Sequence, residues 1–301
     1  MNAKRGTPHF FPACVSGGFG RPASGKRASR RRYATVAVRN WDRPEDIFEH
    51  KADAITKEAG HYRVQNPPPG FAPDFIDTFW DGYETYLPGA IDALESGRYT
   101  SSHWHVILAH VQAQSARNPD FLAKAAAHLE TLGITDPTWD QLQYERVRTL
   151  FNTPALMSQC RFALVHRPHD GRRFVVNDKG YARILDVEPS VINVFFPLSG
   201  ETAVQMVVDA AQLGDDIEAG PMRELTMTPT AVECVNQASW SVPDIVCIMG
   251  HPDDGRWMLE LDTAVDLTRP WLGPYRGTCD VDLSDWAVSN QAATRLTVHV
   301  S

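Results

Sequence analysis

Several features are missing from this 301-residue chain, and each absence removes a class of function. Its five cysteines (Cys14, Cys160, Cys234, Cys247 and Cys279) are odd in number and widely spaced. There is no C-x-x-C and no Cys–His pattern at zinc spacing, so a structural zinc site is not expected. Free, mostly buried thiols in a reducing compartment are. No stretch approaches ~18 consecutive apolar residues, which excludes a spanning helix. The N-terminus lacks a secretory apolar region, since Gly17, Gly18 and Arg21 interrupt its only apolar run. Neither G-x-x-x-x-G-K-[ST] nor G-x-G-x-x-G follows a strand, and Gly17-Gly18-Phe19-Gly20 opens no helix. That speaks against a P-loop NTPase and a Rossmann dehydrogenase, and no nucleotide-cofactor fingerprint remains. H-E-x-x-H and G-x-S-x-G are absent, as are internal repeats and heptad runs.

What is present is ordinary in bulk and uneven in charge. The apolar fraction of 43% and charged fraction of 22% fit a globular protein. The length fits about two domains of roughly 150 residues, or one large one. The first 40 residues hold nine basic side chains (Lys4, Arg5, Arg21, Lys26, Arg27, Arg30, Arg31, Arg32 and Arg39) and no acid. With a formal net charge of −8 overall, the remainder carries −17. A basic arm on an acidic body permits an anionic partner, nucleic acid or phosphate, at Arg30, Arg31 and Arg32. It equally permits arginines that pair with the body. Arg32-Tyr33 and Arg39-Asn-Trp41 could stack on bases. The arm also resembles a mitochondrial transit peptide, but residues 9–19 read as part of the fold, so the expected location is cytoplasmic, with no membrane partner.

The order of patterns predicts an α+β fold. Residues 20–32 read as a loop and 33–39 as a strand, and 46–59 as a short helix. Asn66-Pro-Pro-Pro-Gly-Phe-Ala-Pro73 is the clearest boundary. Beyond it Phe75, Phe79, Tyr83, Tyr86, Leu87, Ile91 and Leu94 recur at spacings of three and four, a helical stripe that Pro88 kinks or divides. Further helices are predicted over 103–116, capped by Ser101-Ser102, over 120–132, ended by Gly133, and over 138–150. The period then becomes two, with strands predicted over 161–166, 173–177, 191–197, 203–208 and 244–249. A helix over 228–240 lies between the last two, and late strands follow over 257–261 and 295–300. The expectation is one intertwined domain over 1–301. Within it lie an N-terminal arm and strand (1–66), a four-helix segment (67–155) and a mainly antiparallel or mixed sheet with one helix (156–301).

Few constellations could carry chemistry. His103, His105 and His110, and His166 with His169, are the histidine clusters. His103 and His110 share a helical face while His105 does not, so surface or capping roles compete with metal binding. Phe174-Val-Val-Asn177-Asp178-Lys-Gly180 puts a carboxylate at the end of a buried strand. That is a site position, or an Asn-Asp turn. Ser199 follows a strand that stops at Pro197 and can hydrogen-bond a turn. Glu84 lies in the aromatic stripe and needs a partner if buried, for which Arg117 is placed.

Taken in order, several of these pieces resemble one family. His9-Phe-Phe-Pro12 is followed seven residues later by Phe19. Tyr62, Glu84, Arg117-Asn-Pro119, Asn177-Asp178, Pro197-Leu-Ser199 and Asn236 come after. This succession resembles the mainly bacterial family catalogued as domain of unknown function 4238, over about residues 7–250. The sequence departs from it in lacking Asn-Pro-Val after Asp178 and in having Ser16 where the family has Leu. The family has no established activity, so the resemblance implies a shared fold and polar set and no reaction.

Two readings of that polar set stay open. In the first the residues converge. His9 or Asp178 would be acid or base, Glu84 would orient, and Ser199 would complete the catalytic set. Arg117, Asn236 and Asn177 would then bind substrate. With the basic arm this predicts a hydrolase or transferase acting on a phosphate-containing substrate, nucleic acid included. A divalent ion on Glu84 and Asp178 would suit that chemistry, and no other cofactor is indicated. In the second the same residues form a structural network in a non-catalytic binding or interaction protein.

Overall fold

In the computed structural model, residues 10–24, 31–58, 60–118, 120–157, 159–185, 191–209 and 223–261 are described. His9, Arg30, Pro119, Cys279 and the strand expected over 295–300 lie outside them. Phe11, Val15 and Phe19 are buried around a short helix α1 (Ala13–Ser16), so the segment read as part of the fold does sit in the core.

Strand β1 (Thr35–Asn40) turns at Trp41-Asp42 into β2 (Arg43–Lys51). The helix expected over 46–59 is therefore a strand followed by a 3₁₀ turn at Ala52–Ala54. Ile47, Phe48, Ala52 and Ile55 do recur near a helical period, but pairing with β1 supplies the backbone bonds instead. β2 ends the sheet, where its charges and Pro44 are the usual protection of an open edge.

The middle of the chain is helical. The aromatic stripe is divided, into α2 (Asp77–Glu84) and α3 (Leu87–Glu95), with Pro88 in the first turn of α3. α4 (Ser101–Arg117) is capped by Thr100, not by Ser101-Ser102: the His103 ring accepts the Thr100 N–H at 3.0 Å. α5 (Phe121–Thr131) ends before Gly133, whose φ of +87° suits glycine. α6 (Trp139–Met157) runs seven residues beyond the expected end.

Strands β3 (Arg161–His166), β4 (Val176–Asn177), β5 (Ala182–Leu185), β6 (Val191–Pro197), β7 (Thr202–Asp209) and β8 (Arg223–Thr226) follow. Then come α7 (Pro229–Trp240), β9 (Cys247–Gly250) and a short helix α8 (Gly255–Met258). Among the described residues two sheets result, in the orders β2-β1-β9-β4 and β5-β6-β7-β3-β8. All named pairs are antiparallel except β3 with β8. This is an α+β fold of mixed, mostly antiparallel sheets. The strand expected over 257–261 is instead the end of α8 and a turn. Arg39 Nη1 donates to Met258 O and Leu261 O at 2.8 and 3.0 Å, so those carbonyls are capped by a side chain and not by a neighbouring strand.

In the four-stranded sheet β1, β9 and β4 are buried on both faces, while the edge strand β2 is largely exposed. Val36, Val38, Cys247 and Met249 join the main core with α3, α4, α7 and the second sheet. Ala37, Ile248 and Val175 face Trp240, Ile245 and Met258 on the other side. That is period two with both sides covered. Each fully buried Val, Ile or Phe contributes about 1.5–3 kcal/mol. A third cluster, Tyr62, Ile76, Trp80, Ala116 and Leu150, joins α2, α4 and α6.

Candidate functional site

The turn after β4 carries the densest set of expected site residues, and most of its polar atoms are engaged with backbone. Asn177 is fully buried. Its Nδ2 donates to Tyr181 O and Ser239 O, both at 2.8 Å, and its Oδ1 accepts from Lys179 N at 3.1 Å and Tyr181 N at 3.3 Å. Asp178 Oδ1 accepts from Val246 N at 2.9 Å and Cys247 N at 3.2 Å, which pins the turn to the start of β9. Burial raises the Asp178 carboxyl above its ordinary value, and the two N–H groups hold that rise back. Gly180 has a φ of +77°, and a Cβ there would lie 2.5 Å from Phe11 Cε2, so only glycine fits.

Two further expected residues do the same kind of work elsewhere. Asn236 of α7 accepts from Val175 N and donates to Arg173 O, each at 2.9 Å. This explains why β4 is two residues long and not the five expected over 173–177: the backbone there pairs with a side chain and not with a strand. Ser199 Oγ accepts from Glu201 N and Thr202 N, at 3.1 and 3.3 Å, and so holds the β6–β7 turn.

Glu84 and Arg117 do meet. Arg117 Nη1 is ion-paired with Glu84 and donates to Tyr83 Oη at 3.1 Å, and its guanidinium lies 5.1 Å from the Trp80 ring centre. Burial works against its charge, but Glu84 and Tyr83 outweigh that and hold its pKa well above the usual value. Asp178, Asn236 and Ser199 thus each bond the backbone of a different neighbour, whereas Glu84 and Arg117 bond each other.

Arg146 shows what the spacing did not. It is fully buried, and its guanidinium lies 4.9 Å from the ring centres of both Tyr62 and Phe121. It donates to Ala116 O at 2.6 Å and makes no ion pair among the described residues. Burial pulls its pKa down to about 10. Two buried rings give such a cation about 2 kcal/mol of attraction.

Two described cations of the basic segment, Arg21 and Arg31, pair with carboxylates of the acidic body. Arg31 donates to Asp92 at 3.1 and 2.5 Å and to Glu95 at 2.8 Å, on α3. A Cβ on Gly17 would come within 1.8 Å of Arg31 O. Gly17 therefore makes room for the Arg31 main chain. Arg39 lies 4.2 Å from the Trp240 ring centre and Trp41 packs on that same ring, so this pair is occupied within the fold. Arg32, Glu84, Asp81 and Cys14 line a small cavity of about 300 Å³. Burial and the Glu84 charge push the Cys14 thiol up to about 12, which makes it a poor nucleophile. Among the described residues no three His, Cys, Asp or Glu side chains gather as a metal site. No helix there is long and apolar enough to cross a membrane.

A larger cavity, of about 520 Å³, lies beside the Asn177–Gly180 turn. Lys179, Lys124 and Arg183 bring three cations to it, and Asp120 and Asp244 bring two carboxylates. Lys179 is 2% exposed. Its Nζ donates to Asp120 Oδ2 at 2.9 Å and to Pro243 O at 2.6 Å. Lys124 reaches the same Asp120 oxygen at 2.8 Å. Burial disfavours charge on Lys124, but that hydrogen bond and the nearby Tyr181 and Asp244 raise its pKa overall. Both lysines in turn hold Asp120 below its ordinary value against burial. None of these residues was singled out from the sequence. The one signal was Lys179 itself, next to the Asn177-Asp178 pair.

Comparison with protein-family models, with curated proteins and with solved structures gave no match to this chain.

Proposed function

We propose that this chain is a ligand-binding protein whose inward-facing polar residues are structural, rather than a hydrolase or transferase built on them. The observation that carries this reading is the engagement of Asn177, Asp178, Asn236 and Ser199 with main-chain N–H and C=O groups. A catalytic group needs a free atom within reach of substrate, and these groups are instead holding turns and a strand end; the one oxygen left over, Asp178 Oδ2, is buried away from the surface. The open cavity at Lys124, Lys179 and Arg183 is the binding surface of this reading.

The test has two arms. Asn236→Ala should lower the melting temperature by several degrees, because it strands a buried donor and a buried acceptor. The purified chain should release no nitrophenol from bis(4-nitrophenyl) phosphate, with or without Mg²⁺ or Mn²⁺. Turnover that disappears in Asp178→Asn, with unchanged melting of Asn236→Ala, would overturn the proposal in favour of the phosphoester enzyme.

A further inference from the structure

We infer that the cavity between α5, the Lys179 turn and the end of α7 binds a ligand with one oxyanion, phosphate or carboxylate, on an apolar, ring-sized body. This rests on the binding reading above and names the ligand of that site.

The charges facing the cavity do not balance. The carboxylate of Asp120 serves two lysines through a single oxygen, at 2.8 and 2.9 Å. Arg183, exposed on β5, makes no ion pair among the described residues. An unpaired guanidinium presents a planar fork of donors that matches an oxyanion in two-point contact. Lys179 adds a fixed charge. Its ammonium is held by Asp120 and by Pro243 O, which uses two of its three donors and leaves one. A buried cation that cannot swing away is preorganised, and little ordering cost remains on binding.

The rest of the wall is apolar apart from Ser241. Val242, Pro243 and Ala238 line it, with the Tyr181 side chain beside Lys124. A volume of about 520 Å³ falls in the range of small-molecule sites, which combine an apolar lining with a few placed polar groups. An inorganic anion alone would leave that wall uncovered. A ligand with an aromatic or similarly compact body covers it while its oxyanion reaches Arg183 and Lys124.

The experiment is calorimetric titration of the full chain with inorganic phosphate, phenyl phosphate, benzoate and benzylamine. Both aromatic anions should bind, and the tighter of the two identifies phosphate or carboxylate as the preferred group. Inorganic phosphate should bind more weakly than phenyl phosphate, and benzylamine should not bind. Arg183→Ala and Lys124→Ala should each weaken the tighter aromatic anion by about tenfold or more, the loss of a charge-assisted contact. The melting temperature of Arg183→Ala should stay at the wild-type value, and that of Lys124→Ala should fall only slightly, since Lys179 still holds Asp120.

Absence of binding by the folded wild type, equal binding of benzylamine, or binding untouched by both substitutions would overturn the inference. Inorganic phosphate binding as tightly as phenyl phosphate would overturn the apolar part of it. Release of phenol from phenyl phosphate, lost in Arg183→Ala, would support the site and overturn the non-catalytic reading instead. The two failures are therefore distinct.

Discussion

The turn Asn177–Gly180 separates two regions that use polar side chains in opposite ways. On its inner side Asn177 and Asp178 are buried against β9 and α7, and they bond backbone groups that no strand or helix satisfies. On its outer side Lys179 opens onto a cavity whose cations outnumber its carboxylates. The inner groups replace missing ladder bonds, so removing one exposes its partners' unmet demand. Of the outer groups Arg183 is in excess, so removing it leaves no ion-pair partner stranded among the described residues. The same kinds of side chain thus carry stability in one place and binding in the other, and the difference follows from what surrounds them and not from residue type.

The largest expected effect is on the inner side. Asn236→Ala leaves Val175 N–H and Arg173 C=O without their partner, at about 1–3 kcal/mol for each buried group. A denaturant titration should show a lower midpoint with unchanged slope. Gly180→Ala should cost about 1–3 kcal/mol through its left-handed φ and the contact with Phe11. A stable, fully folded Gly180→Ala protein would break the account of how the turn is packed.

Asp178 gives a sharper contrast because its two variants part company. Asp178→Ala removes the acceptor of two N–H groups and should cost about 2–3 kcal/mol. Asp178→Asn keeps an acceptor oxygen and should cost less. The folded carboxyl has its pKa raised above the ordinary value by burial. The native state therefore holds this proton more tightly than the unfolded chain does, and stability falls as pH rises from the ordinary carboxyl value through the raised one. Stability measured across the acidic range should show that component in the wild type and not in Asp178→Asn.

Smaller effects are expected where charges are exposed. Arg31→Ala loses its pairs with Asp92 and Glu95 and should cost about 1 kcal/mol, less at high salt. On the outer side Arg183→Ala should change stability by no more than about 0.5 kcal/mol. A large loss of stability in Arg183→Ala would erase the contrast between the two regions.

The sequence made much of the fold legible, and for physical reasons. β3 and β6 start and stop where alternation and Pro197 place them, and Pro88 divides the aromatic stripe into α2 and α3. The helices α4 to α7 follow their stripes and their capping or Pro–Gly signals, save for the cap residue of α4 and the end of α6. β2 was not legible because its apolar residues fit two periods and tertiary pairing chose one. The short β4 and the α8 turn were not legible because side chains of Asn236 and Arg39 take over backbone pairing, which leaves no periodic trace. The same holds for the polar set. The pairing of Glu84 with Arg117 and the turn roles of Ser199 and Asn177 were foreseen as options. The cavity was not, because Asp120, Lys124, Lys179 and Arg183 come from three separate segments and look like ordinary surface charges in a sequence. Arg146 was missed for the opposite reason: a fully buried arginine between two rings is not what an exposed helical position predicts.

The most direct test of the central claim is a side-by-side denaturant titration of Asp178→Ala and Arg183→Ala against wild type. The account predicts a loss of about 2–3 kcal/mol for Asp178→Ala and a curve for Arg183→Ala that overlays wild type. An Asp178→Ala protein as stable as wild type, or more stable, would contradict it. That outcome would return Asp178 to the role of a site residue whose stability was sacrificed to function.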